Sequence, residues 1–434
     1  MAAVTLSSET SKPQQRRPLR ILLSAYACEP DRGSEPGIGW QWATRLAAAG
    51  HEIVVITRAN NAAVIDDALA NKRIPTLHFV YFDLPAWARF WKRGGHGVHL
   101  YYFLWQWLSL RVARRLHRDW QFDVVHHLTF GVFRQPSWLA SLGVPFIFGP
   151  VGGGEHAPRS LRRGLPLAAR GRELLRDLAN AYARIDPLLR LTLKRAAAIL
   201  CKTEETRNQL PAAHHSQCRL FLEIGTEGKT APHSDTRRLT AMQSRGLRVL
   251  YVGRLVYLKG LHLALPAFAR LLADAPDSRF KIVGSGPQEA ELRELATRLH
   301  LDDHIDWVPW LPHDEVQAIY AENDVFLFPS FHDSSGNAVL EAMTNGLPVV
   351  CLQLGGPAAI VDAFSGIRVA ASEPDRAIEY LGSALSLLAT KPSLRTFLSR
   401  GAYVRANRHF AWPAQIERMT SLYYALQPRV EAGV

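Results

Sequence analysis

Cysteine is scarce: the 434 residues hold four, Cys28, Cys201, Cys218 and Cys351, far apart and with no Cys-x-x-Cys pair. That spacing argues against a disulfide framework or a zinc site and fits a reducing cytosol. Long apolar runs are missing as well. The longest, Leu100 to Leu110, contains Gln106 and falls well short of the roughly 20 residues that cross a bilayer. Residues 1–18, ending Gln14-Gln15-Arg16-Arg17-Pro18, lack the apolar core of a secretory signal and are expected to be a disordered tail. No fixed-period repeat is visible, which excludes a solenoid.

What is present is the composition of a globular protein, 47% hydrophobic and 21% charged, in a chain long enough for two domains. The net charge of +12 favours an anionic partner without naming it. The charge is concentrated in two stretches. Residues 85–119 hold seven Arg or Lys against one acid, interleaved with Trp87, Phe90, Trp91, Tyr101, Tyr102, Phe103, Trp105 and Trp107. Residues 159–195 hold ten basic residues against three acidic ones. Basic residues among exposed aromatics suit an anionic membrane surface; the alternative is aromatics in the core and arginines on a solvated helix face. Neither stretch matches a nucleic-acid-binding motif.

Short buried-strand patterns alternate with helical ones throughout. Arg20 to Tyr26, a Gly-rich loop, a helical pattern over Trp40 to Ala49 and the strand His51 to Thr57 form a βαβ unit, hence a parallel sheet. Strands follow at Leu77–Phe82, Asp123–His126, Pro145–Phe148 and Ala198–Cys201. A second series occupies Leu247–Val252, Phe280–Val283, Ile305–Val308, Val325–Pro329, Pro348–Leu352 and Ile367–Val369. Two successive α/β domains are expected, over residues 19–225 and 247–408, joined by a polar linker at 226–246.

The chemistry-bearing motifs lie mostly in the second series. Gly253-Arg254 ends a strand and Lys259-Gly260 opens a helix five residues on; two cations so placed can hold a diphosphate and offset the charge it gains as a bond to it breaks. Gly284-Ser285-Gly286-Pro287 follows the next strand, where glycines admit a ligand close to the backbone. Trp310 and Leu311 offer either an apolar loop for a nucleobase or a core tryptophan. After the strand ending at Pro329, Asp333-Ser334-Ser335-Gly336-Asn337 leads into a helix that carries Glu341 about one turn in, so two carboxylates eight residues apart face one ligand. In the first domain, Gly33-Ser34-Glu35-Pro36-Gly37 joins the first strand to the first helix and reads as a second phosphate cradle. His126 and His127 end a strand, and Gly153 and Glu155 follow another.

The order Gly253-Arg254, Lys259-Gly260, Gly284-x-Gly286-Pro287, then acid-x7-Glu341-Ala342-Met343 resembles family 4 of the retaining glycosyltransferases, closely over the second domain and more loosely over the first. The resemblance implies an α/β GT-B fold: two Rossmann-like domains facing each other across a cleft, with residues 409–434 forming a helix that crosses back to the first. It implies a nucleotide-diphospho-sugar donor, no metal and no other cofactor. Arg254 and Lys259 would meet the diphosphate, Glu341 the ribose diol, and Asp333 the donor-sugar hydroxyls. One of His126 and His127 would face the reacting sugar, the alternative being a structural role at the strand end; the strand-then-loop pattern itself offers Gly153 and Glu155 to the acceptor. Asp333 stands where the family usually has Glu, and the Leu354-Gly355-Gly356 turn lacks the acid often found beyond it. The expected acceptor is a lipid-linked or surface-polysaccharide glycan, met by a cytoplasmic enzyme at the inner membrane face. The competing readings are a GT-B UDP-sugar epimerase and a non-catalytic nucleotide-sugar or nucleic-acid binding protein.

Overall fold

The computed structural model describes residues 17–88, 97–162, 165, 167–228, 246–371 and 373–427. The tail up to residue 16, most of the expected linker (229–245) and the 89–96 portion of the aromatic stretch, with Phe90 and Trp91, lie outside the described residues.

Two all-parallel sheets account for every expected strand. The first contains β1 (Arg20–Ser24), β2 (Glu52–Arg58), β3 (Leu77–Phe82), β4 (Val124–His127), β5 (Phe146–Val151), β6 (Ala196–Cys201) and β7 (Cys218–Leu220), in the order β3-β2-β1-β4-β5-β6-β7. The second contains β8 (Arg248–Val252), β9 (Arg279–Val283), β10 (Ile305–Val308), β11 (Val325–Phe328), β12 (Val349–Leu352) and β13 (Gly366–Val369), in the order β10-β9-β8-β11-β12-β13. The central strands are continuous apolar runs because helices cover both faces of a parallel sheet. In β1, Ile21 and Leu23 belong to one core cluster and Leu22 to another, the alternation of a pleated strand. The edge strand β7, only Cys-Arg-Leu, is too short and polar for sequence pattern to show. It sets Cys218 on the strand beside β6, which ends in Cys201, and both are free thiols.

The helices of the first domain are α1 (Ser34–Ala48), α2 (Ala62–Asn71), α3 (Val98–Trp120), α4 (Leu167–Ala183), α5 (Pro187–Arg195) and α6 (Glu204–Gln209). α1 starts six residues earlier than the Trp40–Ala49 pattern suggests, since Glu35 and Pro36 are favourable in a first turn. This places Gly37 and Gly39 inside the helix, where a Cβ would lie 1.9 Å from the Arg32 carbonyl and 2.2 Å from that of Ala27. These glycines let α1 press against the loop that precedes it.

The chain passes between domains twice, at Thr226 and Ala411, and the two passages bond to each other. The Thr226 N–H donates to Phe410 O at 2.9 Å and the Trp412 N–H to Thr226 O at 2.9 Å. Helix Trp412–Ala425 then returns to the first domain, burying Ile416, Met419 and Tyr423 in the core beside Ile21 and Leu23.

In each sheet the strand order reverses once, between β1 and β4 and between β8 and β11. Ligands of open parallel sheets bind off the carboxyl ends at such reversals. Here the two sets of carboxyl ends face each other.

Candidate active site

Between those ends lies a cleft of about 760 Å³, with Ser34, Glu35, Gly131 and Gly152 on one wall and Gly253, Arg254, Lys259 and the Asp333–Ala338 loop on the other. Glu341, on helix Asn337–Thr344, lines both this cleft and an adjoining one of about 440 Å³ that runs to Arg32, Gln317 and Trp412.

The second-domain wall is built from the ends of β8 and β11. Gly260 starts helix Leu261–Asp274 at φ +71°, where a Cβ would lie 2.1 Å from Pro329 O, so only glycine brings Lys259 this close to the β11 loop. The Lys259 ammonium pairs with Asp333 Oδ2 and sits 5.1 Å from the Phe328 ring centroid. Asp333 Oδ1 accepts the N–H groups of Gly336 at 2.8 Å and Ser335 at 3.2 Å. Burial pushes the Asp333 carboxyl up, but the charge and hydrogen bond of Lys259 and these two N–H groups outweigh it and hold it below the ordinary range. Arg254 is exposed on the same wall. Ser334, Ser335, Gly336 and Asn337 carry the wall to Glu341, whose Oε2 accepts from Tyr320 at 3.1 Å. Trp310, 71% exposed, flanks the cleft.

Several residues proposed from sequence stand elsewhere. Gly284 and Gly286 do not line the cleft; a Cβ on them would lie 2.0 Å from Gly253 O and 2.3 Å from Leu255 O, so they admit the backbone that carries Arg254 rather than a ligand. Leu311 packs against the second core. On the first-domain wall Ser34 reaches both cavities and Gly37 only the smaller, while Gly33 lines neither. Asp333, expected to bind sugar, spends its oxygens first on Lys259 and on its own loop.

The two histidines point away from the cleft. Successive side chains of β4 go to opposite faces of the sheet, so His126 enters the core under helix Trp412–Ala425, with Nδ1 2.7 Å from Tyr423 Oη and Nε2 2.6 Å from Gly149 O. His127 packs on the other face, Nε2 3.1 Å from Tyr102 Oη. Burial lowers His126 to about 4, and burial with the neighbouring His126 lowers His127 to about 3, so both are neutral at physiological pH. Glu155 is likewise structural: Oε1 accepts from Thr203 at 2.8 Å and Thr206 at 2.9 Å, and Oε2 from the Gly153 N–H at 2.7 Å. Gly153 itself lines the cleft. In the aromatic stretch, Tyr101, Tyr102 and Trp105 are core residues, whereas Trp87 and Trp107 are exposed, so part of the stretch builds the core and part faces outward.

Sequence reasoning missed the group that joins the two walls. Lys202, after β6, pairs with Glu223 Oε1 at 2.5 Å, and the same oxygen accepts from Ser335 Oγ of the opposite domain at 2.8 Å. Burial pulls Lys202 down, but the charges of Glu223 and Glu35 and the Glu223 hydrogen bond hold it above its usual value. Glu223 Oε2 is buried with no hydrogen-bond partner among the described residues, and Glu223 lines the cleft. It therefore offers an acceptor to a ligand hydroxyl. The Gly355 turn that lacks its own acid receives one across the cleft: Glu205 Oε1 accepts the Gly355 N–H at 2.8 Å.

Two facing Rossmann-like sheets, a cleft between their carboxyl ends and a C-terminal helix returning to the first domain define the GT-B class of glycosyltransferase folds. Two family models cover most of the chain, one described as glycosyl transferase 4-like domain over residues 37–221 and the other as glycosyl transferases group 1 over residues 236–396. The chain belongs to the group 1, family 4-like glycosyltransferases. A 2-deoxystreptamine glucosyltransferase of Streptomyces kanamyceticus is 32% identical over 38% of this chain and 45% of the relative; in matches of this kind the chain spans about half the relative's length. A D-inositol 3-phosphate glycosyltransferase of Streptomyces bingchenggensis is 28% identical across 94% of this chain and 90% of its own. HepE of Anabaena, solved with UDP, superposes with a TM-score of 0.60 at 16% identity, covering 94% of this chain and all of its own, a likeness of fold.

Proposed function

We propose that this chain is a retaining glycosyltransferase that moves a sugar from a nucleotide-diphospho-sugar to a hydroxyl of a lipid-linked or surface-polysaccharide glycan. The observation that carries the reading is the second-domain wall: Arg254, Lys259 and the N-terminus of helix Asn337–Thr344 converge on one cleft within reach of Glu341. The diphosphate lies against the two cations and the helix N-terminus, the ribose diol on Glu341, and the base beside Trp310. HepE, solved with UDP, is the precedent among structural neighbours for such a ligand.

The acceptor oxygen attacks the anomeric carbon on the face from which the diphosphate departs. The bond from that carbon to the phosphate oxygen breaks, the glycosidic bond forms, and the hydroxyl proton passes to the leaving phosphate. Arg254 and Lys259 stabilise the charge that grows there, so the reaction needs no metal. Asp333 positions Lys259 for this task. Glu223 Oε2 takes a sugar hydroxyl, an assignment that His126, His127 and Glu155 do not compete for because all three are buried behind the cleft wall.

The test is proton NMR of UDP-α-glucose turnover with water as the acceptor. Release of α-glucose before mutarotation is expected. First release of β-glucose overturns retention, and no consumption of UDP-, GDP- or ADP-glucose overturns the activity.

A further inference from the structure

Helix α4 is amphipathic the wrong way round. Its inward face is polar: Glu173 and Asn180 are buried, and Asp177 pairs with Arg162 at 2.5 Å. Glu173 Oε1 accepts from Arg176 at 2.5 Å and Oε2 from the Ala157 N–H at 3.3 Å. Its outward face carries Leu167, Leu174, Leu175, Leu178 and Tyr182, joined past the helix end by Ile185, all between 59% and 84% exposed. At 3.6 residues per turn these side chains form one stripe, half a turn from Glu173, Asn180 and Ala183. Single exposed leucines are ordinary, whereas six large apolar side chains in one stripe mark a surface that is covered in use.

The charge around the stripe identifies the cover. Arg170 and Arg172 on the helix, and Arg159, Arg184 and Arg190 near it in sequence, are exposed, while the acids of the helix, Glu173 and Asp177, are turned inward onto Arg176 and Arg162. A second copy meeting this face about a two-fold axis would bring the same arginine fringe against itself. An anionic lipid surface supplies both an apolar layer for the leucines and negative charge for the arginines.

The position of α4 ties this surface to the cleft. Asn180 accepts from Arg134, which also donates to Gly153 O at 2.6 Å, and Gly153 lines the cleft. Ala157, Leu161 and Leu165, just before α4, are part of the second domain's core cluster. The helix is thus tied, through Arg134, to the Gly153 side of the cleft.

We infer that the outward face of α4 docks the protein on anionic membrane, with Leu174, Leu175, Leu178 and Tyr182 in the interface and the cleft mouth at the lipid surface. This deepens the lipid-linked acceptor reading and rests on it only for its purpose, not for the docking itself.

The test is co-sedimentation of the full chain with vesicles of phosphatidylcholine alone or with added phosphatidylglycerol, at low and at high salt. Wild type is expected to bind the phosphatidylglycerol vesicles at low salt and to release with salt. A Leu174→Asp, Leu178→Asp variant is expected to bind at least about tenfold more weakly with its Tm and its turnover of a soluble donor unchanged, and Arg172→Glu to lose part of the affinity. Failure of wild type to bind, or equal binding by the double variant, overturns the surface while leaving glycosyl transfer standing. A wild-type dimer that the double variant dissolves overturns it in favour of a second copy. Vesicle binding without any donor turnover upholds the surface and overturns the transfer reading instead.

Discussion

The two walls of the cleft follow one architectural rule and present different chemistry. On the second-domain wall, glycine-dependent turns at Gly253, Gly260 and Gly336 aim a guanidinium, an ammonium and a helix N-terminus into the open. On the first-domain wall the polar groups mostly face inward: His126, His127 and Glu155 bind the sheet and its loops. What the first domain adds to the cleft is the Lys202–Glu223 pair and its bond to Ser335. A charge that lines the cleft, even one paired as Lys259 is with Asp333, is within reach of a ligand; a charge buried behind the sheet holds the wall in place.

Substitutions can break that contrast. Lys259→Ala is expected to lower turnover of a nucleotide sugar about 10²–10³-fold, the usual effect of removing one preorganised charge from a transition state, read as kcat with saturating donor. Glu223→Gln keeps the shape but weakens the link to Lys202; a loss of about 10–100-fold in kcat/KM is expected, with most of Tm retained. Glu155→Ala should do the reverse. It removes the acceptor of the Thr206 hydroxyl and the Gly153 N–H, leaving the Thr203 hydroxyl only Thr206 Oγ1, and should cost about 1–3 kcal/mol in urea unfolding. A Glu155→Ala protein of full stability and no activity would move Glu155 to the catalytic side of the comparison.

The buried histidines predict the acid limb of stability. Their folded values, about 4 for His126 and about 3 for His127, lie below the ordinary 6.5. Between these limits the unfolded chain takes up protons that the folded one does not, so stability falls as pH falls below about 6.5, by about 1.4 kcal/mol per pH unit for each histidine. Urea unfolding at pH 7, 6 and 5 measures the slope, and His127→Gln should remove about one histidine's share. The smallest expected effect is that of EDTA, which should leave turnover unchanged if, as proposed, Arg254 and Lys259 take the place of a metal at the diphosphate.

Much of this was legible in the chain. Buried parallel strands are written as short apolar runs, so every long strand was found, and the motifs carrying Arg254, Lys259, Asp333 and Glu341 locate one wall because each follows the end of β8 or β11. The other wall was obscure for physical reasons. Sequence gives the end of β4 but not which face each histidine takes. Lys202, Glu223 and Ser335 come from two domains and meet only when the sheets face each other. The basic stretch at 159–195 was visible, yet the outward turn of the α4 leucines depends on the polar partners that Arg134 and Arg162 provide beneath it.

The central claim is that the cleft takes a nucleotide sugar through its second-domain wall. Nucleoside diphosphate release from a panel of UDP-, GDP- and ADP-sugars, by wild type and Lys259→Ala side by side, tests it most directly. At least one donor consumed by the wild type and nearly untouched by the variant is the predicted result; no donor consumed, or equal consumption by both, would contradict it.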